Sequence, residues 1–200
     1  MAFLIAAFFT VFCIQAQISV KPGLRAGFSF STISEMHANY RPEFYFGGFG
    51  EINLTKRYAL QPEITYVRQG SNNVARNYYD PATETENVVH QDLKLNYLSF
   101  SLINKFTFAQ SFQVLFGPAL DVRLNDNLVR RKNYNDLAFN VGLGYRMPSG
   151  LAFDVRFKKG LLDILDSDYY HNNSNDHYLF GDYNTNINFQ IGISYTFKTK

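Results

Sequence analysis

The chain has 200 residues, a formal net charge of +2, one cysteine, no tryptophan and an aromatic content of 17%. That length is typical of a single barrel or sandwich domain, and so many aromatic side chains exclude a disordered chain. After the first 17 residues no apolar run approaches the roughly 18 residues that a membrane-spanning helix needs. The near-neutral charge offers no basic stripe for nucleic acid. The class that remains is a β-rich chain with one apolar and one polar face.

Residues 1–17 form a short apolar segment that turns polar at Gln15 and has a small residue, Ala16, near its end. This pattern is typical of a secretory signal peptide; the alternative is a buried strand or helix of the mature fold. We predict that residues 1–16 are a signal peptide and that residues 17–200 form one barrel domain. Because Cys13 lies in the predicted signal peptide, the mature chain has no cysteine for a disulfide, a thiol nucleophile or a metal site.

Eight segments of the remaining chain alternate apolar and polar residues with period two, as expected for strands whose two faces meet different surroundings. In the first segment Leu24 and Phe28 stand on one face, and Arg25 stands on the other. Phe49 interrupts the second segment because it falls on the polar side. Each segment is near the ~9 to 11 residues that a tilted strand needs to cross a bilayer. The predicted strands are 20–31, 43–54, 58–69, 95–106, 112–124, 137–147, 151–158 and 187–197.

The connections between these segments alternate between long and short. Long polar loops are typical of the outer side of an outer-membrane barrel, and tight turns are typical of its periplasmic side, where both termini also lie. The predicted loops are 32–42, 70–94, 125–136 and 159–186, and the predicted turns are 55–57, 107–111 and 148–150.

A soluble, lipocalin-like barrel has the same period-two pattern with its apolar face inward. The signal peptide, the alternation of loops and turns, and aromatic residues at the periplasmic strand ends favour the membrane. We therefore predict an all-β fold: an eight-stranded antiparallel up-and-down transmembrane β-barrel in the outer membrane of a Gram-negative cell. The predicted aromatic girdle is Tyr58, Phe106, Phe108, Phe112, Tyr145, Phe153, Tyr195 and Phe197.

The polar face of the predicted strands carries ten charged residues, six basic and four acidic. The interior of an eight-stranded barrel is only wide enough for side chains to fill it, and an unpaired buried charge is costly. We expect these residues to neutralise one another, so that a salt-bridge network plugs the polar lumen and leaves no steady aqueous pore. The predicted lumen charge network is Arg25, Glu51, Glu63, Lys105, Asp121, Arg123, Arg146, Asp154, Arg156 and Lys158.

Five short segments of the predicted strands carry a family pattern: GLRAGFSFST at 23–32, LQPEITY at 60–66, NYL at 96–98, FGP at 116–118 and RFKKGL at 156–161. Together they resemble the PorT-like outer-membrane β-barrel family, whose members usually have a proline where this chain has Ser101. The resemblance implies an integral outer-membrane barrel. The family is named after a member implicated in protein secretion, but most members have no defined activity, so the resemblance implies no specific role.

Catalytic and metal sites find little support in the sequence. His171 with Ser174, or His177 with Asp176, could form a catalytic pair, but chance spacing in a loop rich in Asn, Asp and Ser explains both. We therefore predict that the protein is not an enzyme and has no cofactor or metal. A cluster of aspartates offers oxygen ligands to a divalent cation but lacks the glycine placement of a known calcium loop; its members are Asp163, Asp166, Asp168 and Asp176.

The long loops are the part of this barrel on which function is expected, because a rigid scaffold often carries function on its loops. We expect a structural or interaction protein whose loops, especially 70–94 and 159–186, contact an external or envelope protein. A narrow channel, transport component or secretion-associated component is the alternative, and a lipid-modifying enzyme is a further one. The other expected partners are outer-membrane lipid and, through an aromatic carboxy-terminal signal at Phe197, the barrel-assembly machinery.

Overall fold

The computed structural model describes residues 19–34, 36, 38–81, 84–128, 135–165 and 184–198. Antiparallel strands pair in chain order and the last strand pairs with the first, so the sheet closes into a barrel. The predicted eight-stranded up-and-down architecture is confirmed. In the described part of the chain, no helix has the length and apolarity to span a bilayer. The strands are β1 (Ser19–Ile33), β2 (Asn39–Asn53), β3 (Tyr58–Asp80), β4 (Thr85–Phe108), β5 (Phe112–Asp126), β6 (Asn135–Arg146), β7 (Leu151–Gly160) and β8 (Asn186–Thr196).

The outer surface of the barrel is apolar on every strand. Phe28 of β1 and Leu143 of β6 are 67% and 66% exposed, and they stand among Val, Leu, Ile, Phe and Tyr side chains on neighbouring strands. A soluble barrel would bury this set, whereas a membrane barrel presents it to lipid. Rings of the predicted girdle pack across and along strands: Tyr58 on Phe106 at 4.8 Å between centroids, Phe112 on Tyr145 at 5.2 Å and Tyr195 on Phe197 at 5.3 Å.

The prediction of a loop at 70–94 is wrong, because this stretch is a β-hairpin. β3 continues to Asp80 and β4 begins at Thr85. Residues 74–91, which we call the projecting hairpin, pair with each other. Pairing with the neighbouring strands ends before the hairpin begins: β2 pairs with β3 only as far as Asn72, and β5 pairs with β4 only as far as Leu95. The hairpin therefore extends beyond the closed barrel.

Two physical features hide this hairpin from the sequence pattern. The register of β3 on β4 shifts between Ser71 and Val74, and Asn73 between them has a φ of 59°, so the alternation changes phase there. Beyond the bulge both faces meet solvent: Val88 and Val89, which point to opposite sides, are 57% and 40% exposed. A strand with two solvated faces has no period-two hydrophobic signal.

Two prolines lie where the hydrogen-bond ladder is interrupted. The register of β2 on β3 passes from Phe49↔Glu63 to Ile52↔Leu60 around Pro62. Pairing of β4 with β5 is likewise interrupted beside Pro118, between Ser101↔Ala119 and Asn104↔Phe116, with the register unchanged. These gaps are expected because proline has no amide hydrogen to donate to the ladder.

The barrel has an apolar interior at the end that carries the projecting hairpin. Side chains from strand ends and from the connections after β5 and β7 meet there, each no more than 7% exposed, with Met36 and Ala38 packed against them. This group, the apolar cap, lies above the polar lumen and excludes water from its outer end. Its members are Ile33, Val74, Leu93, Leu95, Tyr97, Leu128, Ile164 and Leu165.

Candidate functional site

The ten charged residues predicted for the lumen all have side chains inside the barrel. Eight of them are no more than 5% exposed as whole residues, and the side chain of Arg123 is 2% exposed. Arg146, near the end with the short turns, is the most open, with 23% of its side chain exposed. The strands place them inward because they occupy one parity of each period-two segment. Nine of them form three layers along the barrel axis, and Arg123 lies beside Asp126.

The first layer is built on Glu51 of β2, next to the short turns. Arg146 donates from Nη1 to Glu51 Oε1 at 2.9 Å and from Nη2 to Oε2 at 2.7 Å, a bidentate pair. Lys105 Nζ donates to Glu51 Oε2 at 3.0 Å and lies 5.6 Å from the ring centroid of Phe49. Phe49 thus breaks the alternation of β2 because its ring faces inward, 7% exposed, and contacts a lumen cation.

The middle layer is a ring of alternating charge that spans the lumen between β1, β3 and β7. Arg156 Nη1 donates to both oxygens of Glu63 at 3.0 and 2.9 Å, and its Nε lies 2.8 Å from Asp154 Oδ1. Arg25 closes the ring, with Nη2 3.1 Å from Asp154 Oδ1 and Nη1 paired with Glu63. We call these four residues the central ion-pair ring. Each buried charge in it has two opposite neighbours, which offsets the cost of removing it from water.

Tyr45 supports the central ion-pair ring from β2. Its hydroxyl oxygen accepts a hydrogen bond from Arg25 Nη2 at 3.2 Å, and the Arg25 guanidinium lies 4.8 Å from its ring centroid. The phenol reaches across β1 to β8 because two glycines leave room for it. A Cβ on Gly192 would lie 1.8 Å from the Tyr45 oxygen, and one on Gly27 would lie 2.8 Å from it.

The third layer lies below the apolar cap. Lys158 Nζ donates to Asp121 Oδ1 at 2.6 Å and to Ser99 Oγ at 3.0 Å. Gln69 Nε2 donates to Asp121 Oδ2 at 3.1 Å. The layer therefore joins β3, β4, β5 and β7 across the lumen.

Two buried carboxylates were not predicted. Asp126, with a side chain 2% exposed, lies 3.5 Å from Arg123, and Asp136, 0% exposed, accepts from Asn186 Nδ2 at 3.0 Å and from the Leu162 amide at 3.2 Å. They raise the carboxylates from four to six, against six cations. Asp136 continues the inward parity of β6, so a strand prediction that began one residue earlier would have found it. Asp126 follows a register shift between β4 and β5, so the period-two pattern of β5 does not predict that its side chain faces inward.

The residues weighed for catalysis or metal binding lie mainly outside the described part of the chain. This holds for His171, Ser174, His177, Asp166, Asp168 and Asp176. Within the described residues, no group of three or more His, Cys, Asp or Glu side chains could hold a metal ion.

A closed sheet with an apolar outer surface and a polar, charge-paired lumen defines a transmembrane β-barrel. A model of the outer membrane protein beta-barrel domain family matches residues 15–200, and the chain belongs to this family. It is a protein of the Gram-negative outer membrane. No curated protein sequence matches the chain.

Solved structures show the same fold at low sequence identity. Neisserial surface protein A is 13% identical and has a TM-score of 0.52; the match covers 91% of this chain and 100% of that one. Ail, the attachment invasion locus protein of Yersinia pestis, is 11% identical with a TM-score of 0.48, over 88% of this chain and 98% of that one. At these identities the likeness concerns the fold alone.

Proposed function

We propose that this outer-membrane barrel is a closed, non-enzymatic scaffold that presents its loops and its projecting hairpin to an external or envelope protein. The observation that carries the proposal is the projecting hairpin, seven register pairs from Val74↔Gln91 to Asp80↔Thr85 beyond the barrel. A two-stranded ribbon is marginal in water without further support. Here the base is supported by Val74, which is buried in the apolar cap.

The closed state of the barrel is the second part of the proposal. The predicted lumen charges act as its plug: they link strands that are not neighbours in the sheet, in three layers, and the apolar cap covers them on the outer side. An ion entering the lumen would have to break buried ion pairs, and each broken pair would leave a buried charge without its partner, at a high cost in free energy. A narrow channel, the alternative function, requires that these layers open.

Crosslinking and conductance test the two parts. A photoreactive amino acid at Asn87, an exposed hairpin position, is expected to yield a protein adduct in intact cells, whereas the same group at Lys56 in the β2–β3 turn gives a different pattern or none. Identical patterns at both positions would exclude recognition by the hairpin. Purified protein in a planar bilayer is expected to give no stable conductance steps, with heat-denatured protein as the leakage control. Stable steps above that control would support the channel instead.

We also propose the finer assignments that the sequence predicts. Membership of the PorT-like branch is supported by the LQPEITY segment at 60–66, and its secretion-related name gives no role to this chain. A signal peptide at 1–16 and recognition of Phe197 by the barrel-assembly machinery are supported by residue pattern alone. Amino-terminal sequencing of the membrane form tests the first: a chain that starts at Gln17 is expected, and one that retains Met1 would contradict it.

A further inference from the structure

The lipid-facing surface has a groove over β1. Two adjoining depressions of about 400 and 510 Å³ share Ala26, Phe46 and Ile193 in their lining. Ala26 forms the floor because the register places the larger Phe46 of β2 on one side of it and Ile193 of β8 on the other. The groove continues from Leu24 at one end to Phe28 and Phe44 at the other. Its exposed lining is almost entirely apolar, which suits a hydrocarbon chain.

A cationic cluster stands at the outer end of this groove. The Arg68 guanidinium lies 5.2 Å from the ring centroid of Phe44, a groove residue. Arg68 Nε is 3.2 Å from Glu43 Oε2, and Arg41 Nη2 is 2.7 Å from Glu43 Oε1. Two guanidinium groups therefore share one carboxylate, and the cluster has a net charge of +1.

The cluster lies where the apolar belt of the barrel ends. Arg68 pairs in register with Asn96, and the next outward pair toward the membrane centre is Tyr66↔Leu98. The Arg68 side chain is 33% exposed, so its guanidinium is accessible to a ligand. An arginine at this depth places its charge at the level of lipid headgroups while its stem covers apolar surface.

We propose that the groove and the Arg41–Arg68 cluster together bind one lipid of the outer leaflet whose phosphate headgroup has a net negative charge. Its hydrocarbon chain lies over Ala26, and its phosphate accepts hydrogen bonds from the Arg68 guanidinium at the outer end. Arg41 adds positive charge beside it, since its own donors are bonded to Glu43 and Asn72. Charge complementarity selects this occupant: a zwitterionic lipid gains less from a net cation, and guanidinium matches phosphate geometry better than an ammonium does.

Native mass spectrometry of the purified full-length barrel tests the site, with phosphatidic acid and phosphatidylcholine of equal chain length as probes. The barrel is expected to retain phosphatidic acid about tenfold more strongly, the scale of one charge-assisted hydrogen bond. Arg68→Gln is expected to remove this preference, and Ala26→Phe, which fills the groove, to weaken retention of both lipids. Arg57→Gln in a turn and Val141→Phe on the opposite wall, where Val141 is 50% exposed, are the matched controls and are expected to change nothing.

Several results would overturn the proposal. Both lipids carry a phosphate, so equal retention of the two would exclude selection by the net charge of the headgroup. Full displacement of the lipid by inorganic phosphate alone would exclude the contact with the hydrocarbon chain. A dimer that Ala26→Phe dissociates would mean that a second copy of the chain covers the groove. If Ala26→Phe fails to fold, as seen from its mobility on an unheated gel, Arg68→Gln still decides the outcome.

Discussion

Glu63 is the residue on which the central ion-pair ring depends, because it accepts from both Arg25 and Arg156. Glu63→Gln keeps the shape of the side chain but removes its negative charge. The guanidinium groups of Arg25 and Arg156, each 3% exposed, then keep only one of their two carboxylate partners. Removing one partner of a buried ion pair costs about 3–5 kcal/mol, and we expect the free energy of unfolding to fall by that amount. Urea titration in lipid vesicles measures it. Glu84→Gln, in the exposed hairpin turn, is the matched control, and an equal loss in both variants would contradict the assignment.

Gly192 tests the close approach of Tyr45 to β8. A methyl group there would lie 1.8 Å from the Tyr45 oxygen, whereas one on Gly50 would meet nothing within 4 Å. Gly192→Ala is therefore expected to lower the free energy of unfolding by about 1–3 kcal/mol, the usual cost of overpacking, and Gly50→Ala is expected to be neutral. The same urea titration compares the two variants. If they unfold alike, Tyr45 does not occupy the space beside Gly192.

The parity of each strand predicted an inward position for ten charged residues, but not which of them pair. Arg25 meets Glu63 on β3 and Asp154 on β7, and neither residue is its partner in a neighbouring ladder. Such contacts cross the lumen, so they depend on the stagger of the closed barrel. Asp126 escaped prediction for a related reason, because a register shift changes the parity before it.

Among the elements, the projecting hairpin is the one whose existence the sequence concealed. The eight barrel strands have one face in lipid and one in the lumen, so their period-two pattern located each of them. The hairpin has no such contrast, and its signal is limited to β-branched and aromatic residues such as Val88 and Tyr79. Its base differs from its tip, since Val74 is 0% exposed within the apolar cap.

Shortening the projecting hairpin tests whether the barrel can fold without it. Deletion of residues 76–89, with Ala75 joined to His90 by an Asn-Gly turn, removes an exposed ribbon and leaves the Val74↔Gln91 pair. We expect the barrel to keep its heat-modifiable gel mobility and to lose less than about 1 kcal/mol of unfolding free energy. Deletion of residues 74–91 removes Val74 from the apolar cap and is expected to cost more. If both deletions abolish folding, the hairpin is part of the barrel core rather than an appendage.

At the scale of the whole molecule, the composition follows from the separation of the two faces. A mean hydropathy of −0.21 accompanies an aromatic content of 17% because the aromatic side chains cover the lipid surface and the charges fill the lumen. The buried charges add nothing to the net charge of +2, because the six predicted cations are matched in number by six carboxylates.

Orientation in the membrane is a property of the whole barrel and can be measured with cysteine labelling. Cys13 is the only cysteine of the sequence, so the unchanged chain provides the background. Glu84→Cys at the hairpin tip is expected to react with a membrane-impermeant maleimide in intact cells, because long elements of such barrels face outward. Lys56→Cys in the β2–β3 turn is expected to react only after the outer membrane is permeabilised. The reverse pattern would place the hairpin in the periplasm, where it could not meet an external partner, and would leave only an envelope protein as its ligand.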